Sequence, residues 1–145
     1  MKKLINKGFT LIELIMVTII LGILAAVAIP KYMATVGNAE QAAEDAVISA
    51  MVSGLEMYAT EKFIDSGRRY WPSNPFDALA KKPASYDNTD NNDADSDGEW
   101  TFNTSNNRIT HMRQDGSKYY WPYDVGTNTE TKVSNNDRWR VDSVS

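Results

Sequence analysis

Lys7-Gly8-Phe9-Thr10-Leu11-Ile12-Glu13-Leu14 opens the stretch that decides the fold. It leads into sixteen residues, Leu14–Ile29, that carry no charge. Fourteen of them are apolar, and the other two are Thr18 and Gly22. Taken back to Phe9 and on to Pro30, the stretch has 22 residues and one charge, Glu13. As a helix it would run about 33 Å, enough to cross a bilayer core of about 30 Å. Upstream stand Lys2, Lys3 and Lys7, with no acid among the first twelve residues. Positive charge ahead of an apolar run predicts that this end stays in the cytoplasm and that the rest is exported.

Three uses of such a segment compete. In a secretory signal, Lys2, Lys3 and Lys7 would form the basic region and Leu14–Leu24 the apolar core, with Ala26-Val27-Ala28 as the small-x-small cleavage site. The second use is a plain membrane anchor. The third is a helix that sits first in the membrane and is later packed among copies of itself. Glu13 separates them. A carboxylate near the start of an apolar helix costs a few kcal/mol in hydrocarbon unless it is paired. Neither a discarded signal nor a simple anchor has a use for it.

Around this segment the composition is ordinary. The chain has 145 residues, 42% apolar and 23% charged, and a formal charge of −4. That excludes a multi-span membrane protein and a wholly disordered chain. A sequence pI near 4.9 offers no basic footprint for nucleic acid. The absence of cysteine excludes disulfides, zinc ribbons and thiol catalysis. One histidine, His111, leaves little for an acid–base or metal-binding set, and it falls within a predicted strand.

The string Gly8-Phe9-Thr10-Leu11-Ile12-Glu13, with its basic leader and its apolar run, resembles the signature of the type IV pilin and type II secretion pseudopilin family. The match runs unbroken from Lys7 to about Tyr32, the first fifth of the chain, and the remainder agrees in layout only. The resemblance implies cleavage between Gly8 and Phe9 by a membrane prepilin peptidase, followed by N-methylation of Phe9. It implies that Glu13 pairs with the Phe9 amine of a neighbouring subunit during assembly. Gly22 and Pro30 stand where the family has a loosening residue and a proline. Gly lowers helix propensity by about 1 kcal/mol, and Pro30 removes a hydrogen bond and crowds the turn near Ala26. The segment between them is therefore expected to be the weakest part of the helix, continuous in the isolated subunit and partly unwound in a filament.

From Lys31 to about Ile64 the pattern remains helical. Val36, Ala39, Ala43, Ala46/Val47, Ala50/Met51, Leu55 and Tyr58 recur at spacings of three and four, and Glu40, Glu44 and Glu56 are read as lying off that face. Gly67 and Pro72 mark the stop. One helix from Phe9 to about Phe63 is expected, its second half packing on a head. Beyond it, Trp71–Phe76 reads as a turn-rich loop and Asp77–Lys82 as a short helical turn. Trp100–Thr104, Arg108–Arg113 and Lys118–Tyr123 read as an antiparallel meander with turns at Ser105–Asn107 and Gln114–Ser117, and Arg138–Val144 as a fourth strand. All four Trp and five of the seven Tyr follow the helix, as fill for a small core.

Asp87–Glu99 holds six acids and no base. Asp93-x-Asp95-x-Asp97-Gly98 matches the first half of an EF-hand-type calcium loop, but the twelfth position is Thr104 and not the bidentate Glu. Calcium held by Asp93, Asp95 and Asp97 and a plain solvated loop are both open. The resemblance adds slight weight to the cation, because the family uses a calcium site in this part of the head and a cation could supply the restraint of a missing disulfide.

The expected protein is thus α+β. It has a leader at 1–8, a membrane and filament-core helix at 9–30, an amphipathic helix at 31–64 and a head at 65–145, with the acidic loop at 87–99 and a sheet over about 100–124. The resemblance implies a non-enzymatic subunit of a homopolymer filament, a pilus or a pseudopilus, serving motility, adhesion and DNA uptake or protein secretion. Its partners would be the prepilin peptidase and methyltransferase, an assembly platform in the bacterial inner membrane, and membrane lipid before assembly. No nucleic acid is indicated. The contrasting reading is an exported binding protein or enzyme with a cleaved signal.

Overall fold

The computed structural model describes residues 8–89 and 91–124, together with the backbone of 139–140. The chain is α+β. One helix, α1 (Leu11–Ser66), is followed by a short 3-10 turn at Pro75–Ala78 and then by β1 (Trp100–Asn103), β2 (Arg108–Met112), β3 (Lys118–Pro122) and β4 (Trp139–Arg140). The strands form one antiparallel sheet in the order β1-β2-β3-β4. Of the expected fourth strand, residues 139–140 are β4, and the rest lies outside the described residues. By contacts the chain divides into two compact units, Met1–Ala39 and Glu40–Ser145.

In the first unit α1 passes unbroken through Gly22 and Pro30. Every described residue from Gly8 to Thr35 is exposed. A helix apolar all round cannot stay so in water, so this surface is built to be covered by lipid or by protein.

In the second unit α1 ends in a left-handed cap. Gly67 has φ +72° and its N–H donates to the Phe63 carbonyl at 2.8 Å, an arrangement that favours glycine because no Cβ is crowded. The buried face of α1 shares Met51 and Leu55 with the expected one and departs from it elsewhere. It is Glu44, Ile48, Met51, Leu55 and Ala59, at successive spacings of four, three, four and four. Ala43, Ala46 and Ala50 are exposed. The apolar pattern identified the helix but selected the Ala-rich stripe, because the stripe that packs contains Glu44, a charge that is buried through partners far along the chain. Gly54 lies on the packed side. A Cβ there would stand 2.4 Å from the Ala78 carbonyl oxygen, so the 3-10 turn reaches the helix only because residue 54 has no side chain.

The sheet lays one face on α1. Pairing aligns Trp100 with His111, Phe102 with Ile109, Ile109 with Trp121 and His111 with Tyr119, and alternation puts these side chains on one side. Trp100, Phe102, Ile109 and Trp121 join Ile48, Met51, Leu55, Trp71 and Phe76 in a single core. Trp100 stacks between His111 and Trp121, with centroids at 4.4 and 5.6 Å. Tyr123 closes the core by donating its hydroxyl to the Pro72 carbonyl at 2.6 Å. The two hairpin turns fall where expected: Asn107 (φ 49°) and Gly116 (φ 77°) supply the left-handed residues.

The opposite face of the sheet is covered by the acidic loop. The Ala94 N–H donates to Thr110 Oγ1 at 2.8 Å, the Thr110 and Thr101 hydroxyls are 2.7 Å apart, and Thr101 donates to the Asn92 carbonyl at 2.7 Å. A hydroxyl has one proton. Thr101 spends its own on Asn92, so Thr110 donates to Thr101, and the chain of four groups runs in one direction. This fastens the loop to the middle of the sheet.

Candidate functional site

Three groups of residues carry charge or chemistry. The first is the helix start. Thr10 takes the N-cap position and Glu13 the third helical position. The Thr10 N–H and hydroxyl both donate to Glu13 Oε2 at 2.8 Å, and the Glu13 N–H donates to Thr10 Oγ1 at 3.3 Å. This is a reciprocal capping box. Its signal, a Thr three residues before a Glu, stands in the sequence. The Glu13 carboxylate is thereby turned back toward Phe9, whose side chain is 94% exposed. Together with Leu14, Met16 and Val17 these two residues line a shallow apolar hollow. Gly8 and Gly22 meet nothing: a Cβ at either would have no neighbour within 4 Å. Gly8 therefore leaves the adjoining peptide open to approach.

The second group is buried in the head. The Glu44 carboxylate is fully buried. Arg113 Nε donates to its Oε1 at 2.8 Å and Arg113 Nη2 to its Oε2 at 2.6 Å, a two-pronged contact. His111 Nδ1 lies 2.8 Å from Oε1. The Arg113 guanidinium is capped by the Tyr119 ring at 4.0 Å. Burial pushes the Glu44 carboxyl up, but the hydrogen bonds and charges of Arg113 and His111 outweigh it and hold the group below the ordinary carboxylate range. One turn earlier, Glu40 accepts the Gln114 N–H at 2.9 Å. The cluster ties α1 to the end of β2. His111 is thus a strand residue tied to the helix, and the role of Glu44 was invisible to periodicity alone.

The third group is the acidic loop. Asp93, Asp95 and Asp97 are not brought to a common centre. Asp93 is ion-paired with Arg108, whose Nε donates to Oδ1 at 2.9 Å, and the same oxygen accepts from Asn103 at 2.7 Å. Burial raises the Asp93 carboxyl, and the bonds from Arg108 and Asn103 more than reverse this. Asp95 and Asp97 point to solvent, while Glu99 accepts the N–H groups of Asp95 and Ser96 at 2.8 and 3.0 Å. Among the described residues no three His, Cys, Asp or Glu side chains converge as metal ligands would. The most enclosed of the described carboxylates in the loop, Asp93, is already neutralised by Arg108. Sequence spacing could not show that Arg108, fifteen residues on, would reach it.

Comparison with known proteins agrees with the first of these groups. Residues 4–29 match the prokaryotic N-terminal methylation motif. The chain is similar to type II secretion system core protein G of Pseudomonas aeruginosa, 38% identical over 80 residues, 54% of this chain and 52% of that protein. It is similar to the type IV major pilin protein PilE1 of Neisseria gonorrhoeae, 40% identical over 81 residues, 56% of this chain and 46% of that protein. It is also similar to core protein G of Aeromonas hydrophila, 37% identical over 86 residues, 57% of this chain and 55% of that protein. The chain spans about half the length of the curated relatives it matches. No solved structure matches it significantly.

The motif, the single long helix and the small antiparallel sheet make up a pilin-like α+β fold. Over about half of its length it is similar to type IV major pilin and type II secretion core proteins.

Proposed function

We propose that this chain is a structural subunit that polymerises into a type IV pilus or a type II secretion pseudopilus. The observation that carries the reading is the first unit: an apolar helical surface, exposed on every side and marked by one carboxylate, in a segment that matches the methylation motif. In this reading a prepilin peptidase cuts at Gly8, Phe9 is methylated, and α1 holds the subunit in the inner membrane with its head exported. An assembly platform then withdraws it into a homopolymer. Cleavage frees an amine at Phe9, with an ordinary pKa of about 7.7–8. Glu13 exchanges its Thr10 donors for the amine of a neighbour, so that neither charge enters an apolar filament core alone. Gly22 and Pro30 allow the helix to loosen there.

N-terminal sequencing of the membrane fraction tests the reading. A mature chain beginning at methylated Phe9 supports it. A chain beginning at Ile29 indicates a secretory signal and the contrasting reading, an exported binding protein or enzyme. Neighbouring genes for an assembly ATPase, with or without a secretin, would separate pilus from pseudopilus.

For the acidic loop we read Arg108 as the restraint that a cation was expected to supply. Calcium would enter only by drawing Asp93 away from Arg108. Addition of millimolar calcium to the detergent-solubilised protein is the test: an unchanged melting temperature supports Arg108, and a clear rise supports the ion.

A further inference from the structure

The end of α1 carries a surface that the head does not use. Phe63, Gly67, Arg68, Arg69 and Tyr70 line an open hollow. Phe63 and Tyr70 stand exposed, as do Met57 and Ile64 on the same stretch of α1, whereas most of the other large apolar side chains described in the second unit are buried or half-buried. Arg68 is exposed as well, and among the described residues no carboxylate pairs with it. Arg69 reaches Glu56 through Nη2 and lies over the Trp71 ring at 5.5 Å, yet its Nε is enclosed and unpartnered. Lys62 stands above the rings of Tyr58 and Tyr70 at 5.2 and 5.9 Å. The nearby acids Glu61 and Asp65 are two residues either side of Phe63. At about 100° per residue they fall on the other side of the helix. The hollow is therefore largely polar and cationic, with the Phe63 and Tyr70 rings on its sides.

The same head carries a surface of the opposite kind. In the loop 87–99, Asp93 is neutralised by Arg108, but Asp95 and Asp97 face solvent. No ion pair among the described residues joins either to a cation. The loop is fastened to the sheet by Ala94 and Asn92, so these two carboxylates are presented from a fixed base. A helical filament is built from contacts between two different patches of one chain, repeated without closure. Such contacts need the two patches to be complementary in charge.

We propose that the Phe63–Tyr70 hollow receives the Asp95–Asp97 tip of the acidic loop of a second copy, a head-to-head contact along the filament. The proposal rests on the pilin-type reading. Arg68 meets the incoming carboxylates, and Phe63 and Tyr70 exclude water around them.

The chain has no cysteine, so engineered pairs report without background. In filaments sheared from cells, Arg68→Cys combined with Asp97→Cys should oxidise to a ladder of covalent multimers, whereas neither single variant should. Arg68→Glu should lower filament yield on the order of tenfold, Asp95→Arg with Asp97→Arg should do likewise, and all three changes together should restore it. Unchanged yield with Arg68→Glu, no ladder from the cysteine pair, or loss without restoration overturns the contact while leaving the pilin-type reading in place. A ladder from Arg68→Cys alone indicates like-with-like contact and also overturns it. A wild-type chain that is processed at Phe9 but forms no filament removes both.

Discussion

Glu44 is closed off from water between Arg113 and His111, so the head depends on that group being charged and met. Truncating Arg113 to Ala strands the carboxylate, and the expected cost is about 3–5 kcal/mol, measurable as a shift in the denaturation midpoint of the detergent-solubilised protein. The pH dependence follows from the depressed folded-state pKa of Glu44. In the unfolded chain the carboxyl titrates near 4.3, and in the folded chain it titrates lower. The unfolded state therefore binds more protons between the two values. The stability this group contributes is present above the unfolded pKa and is lost as pH falls through the folded one. Melting curves taken from neutral pH down to about pH 3 should show this loss. Glu44→Gln should be less stable at neutral pH and lose less on acidification. At the helix start, Glu13→Val should still insert and be cleaved but should assemble poorly. Normal yield of sheared filaments from that variant would remove the proposed pairing with Phe9.

At the scale of the element, two of the three glycines of α1 carry opposite expectations. Gly37 has open space where a Cβ would stand, so Gly37→Ala should raise stability by up to about 1 kcal/mol through helix propensity alone. Gly54→Ala gains the same propensity but drives a methyl into the Ala78 carbonyl. A net loss of about 1–3 kcal/mol is expected as the 3-10 turn is displaced. Thermal melts of the two variants side by side test the packing of that turn on the helix. The acidic loop has its own test. Thr110→Val removes the acceptor of the buried Ala94 N–H, at a cost of about 1–3 kcal/mol. Amide exchange at Ala94 should quicken in that variant.

At the scale of the molecule, the modest net charge of −4 is a sum of unlike parts. Loss of Met1–Gly8 would remove three lysines and bring the charge to −7. From residue 65 onward there are 13 acids and 10 bases, and six of the acids lie in 87–99. The rest of the head is mildly basic. Contacts that join an acidic loop to a cationic hollow are screened by salt, so filaments should fragment more readily as ionic strength rises. Shearing the same preparation at low and high salt and counting lengths by electron microscopy checks this.

The sequence alone determined the motif, the existence and stop of the long helix, the meander and its turns. Each of these is local. A run of sixteen uncharged residues, a Gly followed by Pro72, and Asn107 or Gly116 at a tight turn act on neighbours in the chain. Only the tertiary structure decided which face of α1 is buried and how the acidic loop is fastened to the sheet. Glu44 looked solvated because its partners stand 67 and 69 residues away, and the pairing of Asp93 could not be read because Arg108 arrives from β2, fifteen residues on. A charge is placed by the partner that neutralises it. When that partner is distant in sequence, periodicity reads the carboxylate as surface, and the fold alone can show it as core.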